Sequence, residues 1–329
     1  MSTVYQAWQY HPVSSSHDEL DPDILQNLSL RDVQKRSPGS KQVLIRIKAA
    51  ALNFRDLLLI AGSPKYPTPA TAGLSLGSDG AGVVEAAGPG SKWSVGDEVI
   101  FRISGSWKEG DVETFDGTTL GSGNTSGTLQ QYRLFDDHWL VKKPQNLSWE
   151  QAATIPGSGG IAVNALFHTG VADDLDLTGK TVLTQGTGGT SCFVVQIAAA
   201  AGARVISTTG SEEKEESLRR IGAQDVINYK THPQWEDEVL KLTDNRGVDL
   251  VVDVAGAESI EQSIKASRFG GTIAMVGFMT PSKRTSLILP IIFGAKHRKS
   301  PNYPSKCART DLSSPWACCI KRANEPAAG

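Results

Sequence analysis

The sequence is poor in cysteine and has no long apolar run. Of its 329 residues only four are cysteines, Cys192, Cys307, Cys318 and Cys319, and three of these crowd the last part of the chain. This distribution provides no disulfide framework, so we expect a reducing, cytoplasmic location. No apolar stretch approaches the roughly 18 residues that a membrane span requires. Residues 1–17 also lack the basic and apolar segments of a secretory signal. We therefore expect no membrane partner.

An excess of charge of one sign is also lacking. The chain has 33 Lys and Arg against 35 Asp and Glu, which gives a formal net charge of -2. This balance gives no electrostatic reason to expect nucleic acid or an anionic membrane as a partner. An apolar fraction of 39% and a charged fraction of 21% are typical of a folded globular protein. The length suits two ordinary domains.

Two patterns of secondary structure divide the chain. The first 150 residues contain short strands and turns, expected as strands at 43–52, 82–87, 95–100 and 128–134, with a helix at 53–61 and another opening at Ser148. From residue 181 strands and helices alternate, expected as strands at 181–184, 204–208, 225–227, 248–254 and 272–276 and helices at 191–201, 212–221 and 259–267. Such alternation predicts a parallel sheet covered by helices on both faces. We therefore predict an α/β protein with domains at 1–150 and 151–294.

The final segment, 295–329, follows neither pattern. Neither the strand period nor the helix period survives there, and Pro301, Pro304 and Pro315 oppose a central strand. We therefore predict an aberrant, disordered C-terminal tail.

The most informative segment is a glycine turn at 182–191. An apolar strand enters it and an apolar helix leaves it. Gly186 permits a sharp turn, Gly188 lets the backbone approach a pyrophosphate, and the small Ser191 lets the helix pack on the strand. The helix N-terminus would offer N–H groups to the phosphates. The predicted cofactor-binding residues of the turn are Gly186, Thr187, Gly188, Gly189 and Thr190. A glycine-rich turn without a ligand is the alternative.

The next strand indicates which dinucleotide binds. An NAD site normally places an acidic residue about 20 residues beyond the glycines. Here residues 207–211 read Ser-Thr-Thr-Gly-Ser, and Lys214 follows. Hydroxyls and a lysine accommodate a 2′-phosphate that a carboxylate would repel. We therefore predict NADPH (NADP), with Ser211 and Lys214 at that phosphate. The alternative is that Lys214 is a solvated residue beside Glu212 and Glu213.

Six short motifs can then be taken together. They are 51–56 (Ala-Leu-Asn-Phe-Arg-Asp), 77–82 (Gly-Ser-Asp-Gly-Ala-Gly), 95–99 (Val-Gly-Asp-Glu-Val), 186–189 (Gly-Thr-Gly-Gly), 226–229 (Val-Ile-Asn-Tyr) and 270–273 (Gly-Gly-Thr-Ile). As a set, over residues 4–293, they resemble the medium-chain dehydrogenase/reductase superfamily in its quinone oxidoreductase and enoyl reductase branch. The resemblance implies a GroES-like, mostly-β catalytic lobe followed by a Rossmann doubly wound parallel sheet. The Asn-Phe-Arg-Asp run is also similar to that of enoyl reductase modules in fatty acid and polyketide synthases, which suggests secondary metabolism.

Zinc ligands of the superfamily are missing from this sequence. Zinc-dependent alcohol dehydrogenases carry a Cys where Asn53 stands, a His-Glu pair where Ser78 and Asp79 stand, and a further ligand near Gly157. None of these positions offers a thiolate or an imidazole here, and 105–127 lacks the cysteines of a structural zinc lobe. Because zinc sites rely on several nitrogen or sulfur donors, we predict no zinc.

The resemblance also implies a substrate class. Without a Lewis acid, a simple ketone loses carbonyl polarisation, so hydride transfer to an activated C=C bond (enone or enoyl thioester) or to a quinone is favoured. The candidate catalytic residues are Asn53, Tyr66, Arg55 and Ser78. Asn53 would orient the substrate or the nicotinamide, and Tyr66 would donate a hydrogen bond or a proton to the enolate. An ordinary loop aromatic is the alternative for Tyr66. Asp56 and Asp79 are interpreted as structural.

Further cofactor contacts are expected from the second domain. Tyr229 resembles the family tyrosine near the adenosine phosphate. Ala255-Gly256 and Gly277-Phe278 end successive strands and are expected to line the nicotinamide. Cys192 is interpreted as a packed residue rather than a nucleophile.

The tail keeps two other functions open. In the superfamily, the chain beyond Phe293 supplies the last strand of the sheet, often the dimer interface, and then completes the catalytic lobe. The tail matches neither role, which argues against a homodimer and leaves a small-molecule substrate as the expected partner. A truncated, inactive cofactor-binding remnant is the main alternative, and a non-enzymatic, crystallin-like binding protein is the other.

Overall fold

The chain forms two compact units. The computed structural model describes residues 3–106, 117–172, 175–256, 258–277 and 318–321, the last four by backbone alone. The units are Met1–Gly157 and Ser158–Gly329. The first extends beyond the predicted boundary at residue 150 because Ala152 and Ala153 are buried against Ala81 and Ile100 of that unit.

The described part of the first unit is mostly β. Its strands are β1 (Val4–Tyr10), β2 (Leu28–Gln34), β3 (Gln42–Ala51), β4 (Asp79–Ala87), β5 (Glu98–Phe101), β6 (Tyr132–Asp136) and β7 (Leu140–Lys142), and its helices are α1 (Phe54–Ile60) and α2 (Trp149–Ala153). Strands β1 and β2 pair with each other, whereas the others form an antiparallel sheet in the order β6-β3-β4-β5-β7. The aromatic rings of Phe101 and Phe135, 4.6 Å apart, lie in the core of this sheet. This is the predicted GroES-like lobe.

The second unit is built on a parallel sheet. Its elements are α3 (Gly160–Phe167), β8 (Thr181–Gln185), α4 (Gly189–Ala200), β9 (Arg204–Thr209), α5 (Glu215–Arg220), β10 (Asp225–Asn228), α6 (Trp235–Leu242), β11 (Val248–Asp253), α7 (Ile260–Ala266), β12 (Ser267–Met275) and β13 (Cys318–Lys321). The strand order is β10-β9-β8-β11-β12-β13, and the first five are parallel. The order reverses between β8 and β11, and ligands of open parallel sheets bind outside the strand ends at such a point.

Alternate residues of the strands face two separate apolar cores. Val182 and Val252 pack in the core that contains Val194 of α4. Leu183 and Val251 pack in the opposite core with residues of α6 and α7. Strands buried on both faces in this way are continuous apolar runs in the sequence. The alternation of such runs with helices therefore predicted a parallel sheet covered on both faces. None of the helices in the described ranges is long and apolar enough to span a bilayer.

Four residues of the tail differ from the prediction of disorder. Cys318–Lys321 pairs antiparallel with β12, with Met275 opposite Cys318 and Thr272 opposite Lys321. The edge of β12 offers unpaired backbone N–H and C=O groups, and a proline-free segment can satisfy them. The remainder of 295–329 lies outside the described residues.

Candidate functional site

The glycine turn lies between β8 and α4. Gly186 has φ +77°, a left-handed conformation that glycine adopts readily. Gly188 is the N-cap residue of α4, with φ -75° and ψ 173°. A Cβ built on Gly186 or on Gly188 meets no atom within 4 Å. Both glycines therefore border open space next to a helix N-terminus, where the first N–H groups have no intrahelical partner. This arrangement fits a bound pyrophosphate.

The inner side of the turn is closely packed. Ser191 Oγ donates a 2.6 Å hydrogen bond to the carbonyl oxygen of Gln185 and so ties α4 to β8. Thr190 Oγ1 lies 3.5 Å from Ser158 Oγ, and a Cβ on Gly189 would lie 3.0 Å from that same oxygen. Cys192 Sγ donates to the carbonyl oxygen of Thr187 at 3.6 Å. The turn is thus fixed from one side and open on the other.

Lys214 belongs to the segment that follows β9. It ends a 3-10 helix, Glu212–Lys214, and is exposed. Burial raises the pKa of the Cys192 thiol, and the Lys214 ammonium opposes this shift, so the ammonium lies near the first turn of α4. Within the described ranges, Lys214 is not in an ion pair with Glu212, Glu213 or any other carboxylate. The charge is therefore available for an anion.

Ser211 and Tyr229 lie close to the same strand end. The Ser211 N–H donates to Thr209 Oγ1 at 3.2 Å. The Tyr229 N–H donates to the Thr209 carbonyl oxygen at 2.9 Å, and the Tyr229 side chain is 44% exposed. The outer end of the Tyr229 ring lies against Gly210, so a Cβ at this position would require the ring to move. Ser211, Tyr229 and Lys214 thus follow the carboxyl ends of β9 and β10.

The predicted nicotinamide residues lie at neighbouring strand ends. Gly256 follows β11 with φ +87°. A Cβ on Gly277 would lie 2.2 Å from the carbonyl oxygen of Val254, so Gly277 is held against the segment that leads to Ala255. Phe278 lies outside the described residues. Sequence reasoning missed two buried polar residues here, Gln185 and Asp253, because a polar residue that ends a strand gives no pattern of its own.

In the first unit, Arg55 is held at three points. Its Nε donates to the Tyr66 hydroxyl oxygen at 3.0 Å, its Nη1 to the carbonyl oxygen of Leu120 at 2.9 Å, and its Nη2 to Thr119 Oγ1 at 3.1 Å. The guanidinium also lies 5.0 Å from the centre of the Tyr66 ring. Tyr66 is buried. Arg55 therefore positions Tyr66 and the Thr119–Leu120 segment.

Asn53 belongs to a second hydrogen-bonded group. Its N–H donates to Asp56 Oδ2 at 2.8 Å at the start of α1, and its Nδ2 donates to Asp79 Oδ2 at 2.7 Å. Ser78 Oγ is fully buried and lies 3.5 Å from Asn53 Nδ2. The N–H of Gly157 donates to Asp79 Oδ1 at 2.8 Å. The structure thus brings Asn53, Ser78 and Asp79 together, with Asp56 in the capping role expected of a structural residue.

Burial dominates the electrostatics of this group. Burial, with a smaller contribution from the Asp56 carboxylate, raises the pKa of Asp79 to about 7, although hydrogen bonds from Asn53 and Gly157 oppose this shift. Burial also raises the pKa of Asp56, while the Arg55 guanidinium lowers it. Two carboxyl groups therefore compete for one nearby cation.

Two family descriptions match separate parts of the chain. Residues 39–145 match the family described as alcohol dehydrogenase GroES-like domain, and residues 189–300 match the family described as zinc-binding dehydrogenase. A zinc-type alcohol dehydrogenase-like protein of Schizosaccharomyces pombe is 37% identical over 86% of this chain and 79% of its own length. A quinone oxidoreductase of Mus musculus is 30% identical over 81% of this chain and 76% of its own.

One more relative and one solved structure are similar to this chain. An acryloyl-coenzyme A reductase of Sulfurisphaera tokodaii is 29% identical over 82% of this chain and 79% of its own length. The crystal structure of an alcohol dehydrogenase from Sinorhizobium meliloti, 32% identical, has a TM-score of 0.72 over 83% of this chain and 76% of that chain. The fold and the sequence therefore agree over most of the chain.

The zinc in one family description does not fit the residues present. Asn53 offers a carboxamide and Ser78 a hydroxyl, both oxygens of Asp79 accept hydrogen bonds, and Gly157 has no side chain. The part of the chain that the structure describes contains no group of three His, Cys, Asp or Glu residues able to hold a metal ion. The two-unit architecture, the motifs and the relatives show that the chain belongs to the medium-chain dehydrogenase/reductase superfamily, in its quinone oxidoreductase and enoyl reductase branch.

Proposed function

We propose that this oxidoreductase uses NADPH, without zinc, to reduce an activated C=C bond of an enone or enoyl thioester, or a quinone. The observation that carries the proposal is the open glycine turn at Gly186 and Gly188, beside the ammonium of Lys214. Names of relatives support the substrate classes, since they include a quinone oxidoreductase and an acryloyl-coenzyme A reductase.

The preference for NADPH over NADH rests on charge. β9 ends in Thr209, followed by Gly210 and Ser211, and carries no carboxylate where an NAD site normally has one. A 2′-phosphate is an anion that hydroxyls and an ammonium bind well. Lys214 would therefore contact this phosphate, with Ser211 and Tyr229 beside it.

The catalytic roles lie with residues of the first unit. NADPH, when bound, supplies the hydride that adds to the conjugated carbon of the substrate. Tyr66 would give the proton that the resulting enolate takes up, and the Nε–H of Arg55 would stabilise the phenolate left behind. Asn53, held by Asp79, would orient the substrate or the nicotinamide, with Ser78 supporting it. The lack of zinc in the proposal follows from the donor set, which does not suit this ion.

The proposal is tested by binding and turnover on the purified full chain. We expect calorimetry to give a lower Kd for NADPH than for NADH. We also expect NADPH oxidation with enones, enoyl thioesters or quinones, and no stoichiometric zinc. Tighter binding of NADH would overturn the cofactor assignment. Binding without turnover across the panel would support an inactive remnant instead. The cytoplasmic location expected from the cysteines, and the link to secondary metabolism suggested by residues 53–56, are part of this proposal.

A further inference from the structure

A buried carboxylate lies between two turns of the second unit, the glycine turn that begins at Gly186 and the Ala255–Gly256 turn. Asp253 is the last residue of β11 and is fully buried. Its Oδ1 accepts the N–H of Gly256 at 2.7 Å, and its Oδ2 accepts Ser263 Oγ at 2.6 Å. Ser259 Oγ lies 2.9 Å from both carboxylate oxygens. Within the described ranges no ion pair involves Asp253, and its carboxylate oxygens accept hydrogen bonds from neutral donors instead.

Gln185 connects this carboxylate to the neighbouring strand. It is the last residue of β8 and directly precedes Gly186. Its Nε2 donates to Ser263 Oγ at 2.9 Å and to Asp253 Oδ2 at 3.3 Å. Its Oε1 accepts the N–H of Ala255 at 3.3 Å. The carboxamide of Gln185 therefore links the start of one glycine turn to the start of the other.

The position of the link matters because β8 and β11 are adjacent. Val252 of β11 pairs with Thr184 of β8, so Asp253 and Gln185 stand at the same carboxyl edge of the sheet. Gly186 and Gly256 both have positive φ. Gly186 directly follows Gln185, and the N–H of Gly256 donates to Asp253. Backbone turns of this kind have few contacts of their own, and a satisfied buried network restricts them.

We propose that Gln185 and Asp253 are positioning residues that fix the spacing between the turn for the pyrophosphate and the Ala255–Gly256 turn for the nicotinamide. This inference rests on the proposed NADPH-dependent function. A rigid spacing favours a ligand that spans both turns, because less ordering remains for the ligand to impose. A ligand that touches only the first turn gains nothing from it. Only the affinity for a ligand that spans both turns therefore depends on their spacing.

The test compares NADPH with adenosine 2′,5′-bisphosphate, which has the adenine end alone. Gln185→Met keeps the volume of the side chain and removes all its hydrogen bonds. We expect this variant to bind NADPH about tenfold more weakly, while the bisphosphate binds within about twofold of wild type. Ser263→Ala removes two bonds of the network, the one to Asp253 and the one from Gln185, and leaves the bond from Ala255 to Gln185 in place. It should shift the NADPH affinity in the same direction by less, and it serves if Gln185→Met does not fold.

Thr243→Val is the matched control. The Thr243 hydroxyl is buried, donates to the carbonyl oxygen of Val239 at 2.8 Å and accepts the N–H of Gly247, before β11 begins. Its loss should lower the melting temperature without changing either affinity. Equal weakening of both ligands by Gln185→Met, or of neither, would overturn the inference. If wild type binds no nicotinamide dinucleotide, it is the proposed function that fails.

Discussion

Asn53 Nδ2 and Asp79 Oδ2 form a 2.7 Å hydrogen bond that joins the start of α1 to the start of β4. The other oxygen of Asp79 accepts the N–H of Gly157. A Cβ at position 157 would lie 2.5 Å from Asp79 Oδ2, so the carboxylate requires glycine there. One buried acid thus connects three segments that are distant in sequence.

This arrangement predicts an unusual pH dependence of stability. The pKa of Asp79 is raised to about 7, so the folded chain keeps a proton that the unfolded chain loses above pH 4. Stability therefore falls as pH rises from 4 to 7, because the unfolded state binds fewer protons there. Asp79→Asn removes this dependence. As pH rises from 5 to 8, the difference in free energy of unfolding between Asp79→Asn and wild type should shift by about 2 kcal/mol in favour of the variant. Urea titrations at several pH values measure the free energy of unfolding of both proteins. The same change with pH in both proteins would contradict the prediction.

Two glycine substitutions should separate binding from stability. Gly188→Ala places a Cβ in open space at a φ that alanine accepts, so its melting temperature should be unchanged while NADPH binding is lost. Gly186→Ala should lose binding and also cost about 1 kcal/mol, because its φ is +77°. Thermal denaturation and calorimetry measure the two effects. Normal NADPH affinity of Gly188→Ala would show that no phosphate lies there.

Lys214 should determine the preference between the two dinucleotides. Lys214→Ala is expected to weaken NADPH binding about tenfold at low salt, since a charge-assisted contact is lost, and to leave NADH binding unchanged. The loss should shrink as salt screens the charge. Lys180→Ala, a lysine directly before β8 at the opposite edge of the sheet, is the control. Equal losses for both dinucleotides would exclude a 2′-phosphate contact.

Removal of the Tyr66 hydroxyl tests its role as proton donor. Tyr66→Phe should lower kcat about 100-fold, the usual contribution of a positioned acid, and leave the Kd of NADPH unchanged. Arg55 loses one of three hydrogen bonds, which should cost about 1 kcal/mol of stability. Tyr10→Phe, another buried tyrosine of the same unit, is the control. Full activity of Tyr66→Phe would leave Tyr66 as an ordinary packed aromatic.

Asp249 should stabilise the second unit at neutral pH. Burial raises the pKa of this carboxyl, but hydrogen bonds from Arg246, Thr181 and Arg268 outweigh it and hold the pKa at about 2. A depressed pKa means that the stabilisation is present above pH 4 and is lost as pH falls through 2. Asp249→Asn should therefore cost about 2 kcal/mol at pH 7 and little near pH 2. Equal costs at pH 7 and pH 3 would contradict this.

Local patterns account for what the sequence predicts well. The glycine turn is contiguous in sequence, and so are the apolar strand before it and the apolar helix after it. The capping box that opens α2 uses Ser148 and Gln151, three residues apart. Such elements follow from neighbours along the chain, so spacing and residue type identify them.

Elements without a clear local pattern were not anticipated. Strands β1 and β2 place Trp8 and Leu30, a cross-strand pair, on the exposed face, which blurs the apolar alternation. The links from Asp79 to Gly157 and from Gln185 to Asp253 join residues 78 and 68 positions apart. Only the folded sheet brings such residues together, so no spacing rule reveals them.

The antiparallel strand β13 has a consequence for self-association. It occupies the backbone groups of β12 from Thr272 to Met275, on the side away from β11. A second copy that extended the sheet edge to edge would find this side already taken by the chain itself. Continuous sheets between copies would therefore have to run through β10 or through the short outer rim of Cys318–Lys321.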